Sequence, residues 1–82
     1  MSMLFIFGEN DSAGVEYARK NGFQPGRFQV LSRADAMKKF PVGEKTQVLL
    51  VGKVERRHDY EDLIRILNEI GAVVNRVAVA SN

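Results

Sequence analysis

No cysteine occurs in this chain, which excludes disulfides, thiol nucleophiles and thiolate metal sites. Histidine is nearly absent too, and the single one, His58, cannot by itself build a conventional zinc site. The expectation is a chain that uses neither metal nor cofactor. Long hydrophobic runs are also missing. The opening run Met3-Leu4-Phe5-Ile6-Phe7 is interrupted by Gly8 and Glu9; it is too short for a membrane span and lacks the basic flank of a signal peptide. These absences point to a soluble, cytoplasmic protein without a membrane role. Nor is there a large excess of one charge. Twelve basic and ten acidic side chains leave a formal charge of +2, mild for a dedicated nucleic-acid binder, so the placement of the charges matters more than their sum. Repeats, linkers and low-complexity stretches are absent.

What is present is a regular alternation. The 82 residues, 45% hydrophobic and 27% charged, suit one small domain spanning 1–82. Four apolar runs, at 3–7, 27–31, 47–51 and 73–80, read as strands, and the three intervening segments read as helices. Asp11 or Ser12 can cap the first helix, which presents Gly14, Val15 and Ala18 inward and stops at Gly22. Pro25-Gly26 is a turn signal. Ser32-Arg33-Ala34-Asp35 resembles a capping box for a short second helix presenting Ala36, Met37 and Phe40 and ended by Pro41. Asp59 is placed to cap the third helix, whose Leu63, Ile64, Ile66, Leu67 and Ile70 form the strongest amphipathic stripe of the chain.

Alternating strands and helices imply a parallel sheet with right-handed crossovers. The first and third strands are apolar on both faces, so they form the interior pair. The expected fold is β-α-β-α-β-α-β, a mostly parallel sheet of order 2-1-3-4 that resembles a truncated flavodoxin-like sheet. Crossover handedness then puts helix 1 on one face and helices 2 and 3 on the other. One short helix with small inward residues leaves part of its face, and the edge of strand 4, short of cover. That predicts association, as a homodimer or with a protein partner, through the bare face or edge. A monomer in which strand 4 twists over the face, or in which Arg76 screens Val77 and Val79, is the alternative.

In such sheets ligands bind outside the C-terminal strand ends, where the chain reverses between strands 1 and 3. Two polar loops meet there, Gly8-Glu9-Asn10-Asp11-Ser12 and Gly52-Lys53-Val54-Glu55-Arg56-Arg57-His58. Arg56 and Arg57 stand before a helix N-terminus, where the macrodipole disfavours cations. An anion held there by Lys53, Arg56 and Arg57, with the amides of Ser12 and Asp59, is one explanation. Pairing of both arginines with Glu55, Asp59, Glu61 or Asp62 is the plainer one. Glu9, Asn10 and His58 complete the candidate ligand loops. His58, oriented by Asp59 or Glu55, is the one candidate for proton transfer.

Enzymatic signatures are otherwise missing. Phosphoacceptor receiver domains need an aspartate where Gly52 stands. Toprim domains need Asp-x-Asp where this chain has Lys53-Val54-Glu55. Gly8 and Gly14 are too widely spaced for a dinucleotide fingerprint. The sequence is read as a non-enzymatic binding protein engaging nucleic acid or a nucleotide phosphate through the loop after strand 3. The alternative is a protein-interaction module, a regulator or inhibitor, using the uncovered sheet face or edge strand.

Overall fold

A computed structural model describes residues 4–39 and 46–77. Its elements are β1 (Leu4–Phe7), α1 (Asp11–Lys20), β2 (Phe28–Val30), a 3-10 helix (Ala34–Lys39), β3 (Gln47–Val51), a 3-10 turn (Val54–Arg56), α2 (Tyr60–Ile70) and β4 (Val73–Val77). The four strands form one parallel sheet of order β2-β1-β3-β4, as the apolar patterning predicts. Met3, Phe40, Pro41, the loop residues 42–45 and any continuation of β4 through 78–80 lie outside the described residues.

Strand alternation divides the core into two layers. On one face Phe5, Phe7, Val48 and Leu50 pack against Met37 of the 3-10 helix and Leu63, Ile66 and Leu67 of α2. On the other, Ile6 and Val51 pack against Ala18 of α1, with Tyr17, Phe23 and Phe28 partly buried around them. Among the described helices, α1 therefore lies on one face and the 3-10 helix and α2 share the opposite one, as right-handed crossovers require. Gly14 lets α1 approach closely, because a Cβ there would stand 2.9 Å from Cγ1 of Val30. Val15, expected to face inward, is 39% exposed. The position at the interface belongs instead to Tyr17, whose ring meets Phe23 edge-on at 5.9 Å.

Turn chemistry follows the sequence closely. Arg27 N–H donates to Gln24 C=O at 3.1 Å around Pro25 and a Gly26 at φ +91°, the arrangement of a type II turn. α2 ends at Gly71 in the left-handed region (φ +70°), with Ala72 N–H returning to Leu67 C=O. The helix starts differ from expectation. Asn10, not Asp11 or Ser12, caps α1 by accepting from Ala13 N–H at 2.9 Å. Ser32 makes no capping box: its hydroxyl donates to Asp11 at 2.6 Å, and Asp35 pairs with Arg33. Ala34 N–H, at the start of the 3-10 helix, is instead capped by the Asp59 carboxylate at 3.1 Å. Asp59 stands at the N-cap position of α2 but makes no side-chain cap there. Asp59 is drawn away from α2 by the arginine described next.

Candidate functional site

The C-terminal ends of β1, β2 and β3 converge on Arg57, whose side chain is only 6% exposed. Its guanidinium donates four hydrogen bonds. Nε and one terminal nitrogen reach the two oxygens of Asp59 at 2.8 and 3.2 Å; the terminal nitrogens also reach the carbonyls of Gly8 at 2.9 Å and Ser32 at 2.7 Å. The plane lies over Phe7, 5.4 Å from the ring centroid, a favourable cation–π placement. Thus Arg57 ties the segment after β1, the segment after β2 and the start of α2 to one another. Arginine suits this because its planar fork can serve several acceptors at fixed angles, which an ammonium cannot. Asp59 completes the joint by adding the Ala34 amide. Its carboxyl is held below the ordinary aspartate value, chiefly by the hydrogen bond from Arg57 and further by the Ala34 amide.

The arginine placed against the α2 macrodipole therefore meets acceptors supplied by the chain itself. Of the residues expected to contact an anion, Arg57 is thereby largely spent. Arg56 is exposed and stands 3.8 Å from Glu9, and Lys53 is exposed on the same loop. Glu55 pairs with Arg76 of β4. Its carboxyl is lowered first by its own backbone amide, then by Arg76 and Arg56. His58 is exposed, and both carboxylates expected to orient it are engaged elsewhere, Asp59 by Arg57 and Glu55 by Arg76.

A shallow cleft of about 530 Å³ does open where the β1/β3 reversal predicts one. It is lined by Glu9, Asn10, Asp11 and Ser12 from the loop after β1, by Ser32 after β2, and by the largely buried Arg57 with His58 and Asp59 before α2. The structure thus brings Glu9, Asn10, Ser12, Arg57, His58 and Asp59 together. Lys53 and Arg56 are not among the lining residues. With Arg57 and Asp59 paired to each other, the carboxylates of Glu9 and Asp11 remain among the lining charges, a poor electrostatic match for phosphate. Among the described residues no group of three or more His, Cys, Asp or Glu could hold a metal ion. No described helix is long and apolar enough to cross a membrane.

Two features of this region were not legible from local sequence. Ser32, read as a cap, lines the cleft and bonds Asp11, 21 residues away. Gly8, read as a strand stop, supplies a carbonyl to Arg57, 49 residues away.

The outer border of the sheet is the other candidate surface. β4 is the terminal strand beyond β3, and its residues from Val73 through Arg76 are exposed. Val73 is 46% and Val74 39% exposed, and they point to opposite faces of the sheet. Leu49 and Val77, on the α1 side, are half-buried. Arg76 lies on the α2 side, opposite Leu50, so it does not screen Val77. Comparison of the chain with protein-family models, curated proteins and solved structures finds no match among any of them.

Proposed function

We propose that this protein is a small, non-enzymatic interaction module whose working surface is the outer edge of β4 and the adjoining sheet face. The observation that carries this is the exposure of β4 from Val73 through Arg76: Val73 and Val74 present apolar surface on both faces at a sheet border unpaired among the described residues. Edges of this kind recruit a strand from another chain, the backbone supplying hydrogen bonds and the alternating side chains selectivity. The polar cleft is a secondary feature in this reading, since Arg57 beneath it serves to join loops.

Placing a photo-crosslinking side chain at Val74, with the exposed α1 position Glu16 as control, tests the proposal in cells. A discrete covalent adduct at 74 that is missing at 16 is the expected result. No adduct at either position, or the same adducts at both, would overturn it.

The anionic-ligand reading is favoured by one observation, the exposure of Lys53 and Arg56 on the loop after β3. Phosphate contacts weaken steeply with salt, whereas strand pairing and apolar docking do not. A salt-series titration against a mixed DNA and RNA oligonucleotide pool separates the two. Binding that falls with salt and disappears in Lys53→Ala/Arg56→Ala would establish the anionic reading. Absence of binding at low salt would remove it.

A further inference from the structure

Building on the interaction reading, we propose that the strand received by β4 is the β4 of a second copy of this chain. The two strands run antiparallel about Asn75 and join the sheets into one.

The backbone directions select this edge. Val73 N–H donates to Thr46 C=O at 2.8 Å, and Val77 C=O accepts from Gly52 N–H at 2.9 Å. In a parallel ladder the bonding direction alternates, so Val73, Asn75 and Val77 address β3 while Val74 and Arg76 aim their N–H and C=O groups outward. Among the described residues, neither a bulge nor a proline blunts this edge. Pairing with β3 runs residue for residue from Val73 to Val77. Its one charge, Arg76, is already paired with Glu55.

Symmetry then limits the partner. A closed pair of identical edges needs a two-fold axis, and an axis normal to the sheet makes the strands antiparallel. The outward groups allow registers centred on Val74, Asn75 or Arg76. Centring on Arg76 sets two like charges directly opposite each other, which is unfavourable. Centring on Val74 sets Val73 against Asn75 of the second copy. Centring on Asn75 sets Val73 against Val77, and Val74 against the aliphatic stem of Arg76, twice over. Val74 and Arg76 then exchange both main-chain hydrogen bonds with each other's counterparts. Charge also agrees: each Arg76 brings its own Glu55, so the two edges meet without net repulsion. The strand is self-complementary in this register alone among the three.

The chain contains no cysteine, so an introduced one reports the register cleanly. In the Asn75-centred pair, the two Asn75 residues face each other at a non-hydrogen-bonded site with Cα atoms about 4.5 Å apart, within the range of a disulfide. Asn75→Cys should form a covalent dimer under mild oxidation, and Glu16→Cys should not. By sedimentation, the unaltered protein should run at twice its 9.2 kDa mass at tens of micromolar. Val74→Pro, which removes an outward N–H and none directed at β3, should weaken the dimer at least tenfold. Val74→Lys supplies the same test with all backbone donors intact. A monomer at 100 µM, or Asn75→Cys oxidising no faster than Glu16→Cys, would overturn self-pairing. A monomer that nevertheless gives a discrete adduct with another protein from position 74 would refute self-pairing alone and leave the interaction reading standing.

Discussion

Arg57 shows how one side chain can settle the geometry of several loops. It sits in a partly apolar setting over Phe7, with Asp59 as its charged partner among the described residues and two carbonyls as further acceptors. Removing one member of a buried ion pair costs about 3–5 kcal/mol, because the other is left uncompensated. For 82 residues, a total stability of roughly 4–12 kcal/mol is expected, so Arg57→Ala should lose a large share of it. Arg57→Lys should recover little, since an ammonium cannot span Gly8, Ser32 and both Asp59 oxygens. Urea midpoints of the two variants check this; near-wild-type stability of the lysine variant would contradict it. Asp59 adds a pH dependence of definite sign. The hydrogen bond from Arg57 holds its folded pKa below that of an ordinary aspartate, so its contribution is fully present above the ordinary aspartate value. It is lost as pH falls from the unfolded pKa through the lower folded one. Asp59→Asn should be less stable at pH 7 and show a flatter stability profile below pH 4. An unchanged acid slope in that variant would mean that other carboxylates set it.

At the scale of elements, the two helices contribute differently. α2 buries Leu63, Ile66 and Leu67 completely or nearly so, and truncating Leu67 to alanine should cost about 2–5 kcal/mol. α1 buries little and depends on close approach instead. Gly14→Ala gains up to about 1 kcal/mol of helix propensity. It also drives a methyl to within 2.9 Å of Val30, a stiff β-branched side chain in an edge strand. Overpacking of this kind costs about 1–3 kcal/mol, so the net effect should be a loss of about 1 kcal/mol. Val30→Ala should relieve it, making the double variant more stable than the sum of the singles predicts. Additive behaviour would show that α1 can shift outward freely. The stripe of α2 and the stops at Gly22 and Gly71 could be read from spacing alone, since they depend on residues within one turn. The helix starts could not. Asn10 competes with Asp11 and Ser12 for the cap of α1, and the 3-10 helix takes its cap from Asp59, 25 residues away.

For the whole molecule, the order β2-β1-β3-β4 leaves β4 with one neighbour among the described residues and exposed side chains on both faces. A small domain gains appreciably from covering such surface. If β4 pairs with β4 of a second copy as proposed, apparent stability depends on concentration. The melting temperature should rise with protein concentration in the unaltered chain and stay level in Val74→Lys. A level response in both would place the chain's stability entirely within the monomer.

Strand order, the interior pair, the faces taken by the helices and the position of the cleft were all determined by the amino-acid sequence. The reason is that apolar periodicity, turn residues and crossover handedness act locally or by general rule. Tertiary structure alone decided what Arg57 does. The sequence offers several nearby carboxylates as the plainer partners and an external anion as the other, and nothing local singles out Asp59 among them. The choice is made by Gly8 and Ser32, which stand 49 and 25 residues away. Their carbonyls converge only once β1 and β2 lie side by side.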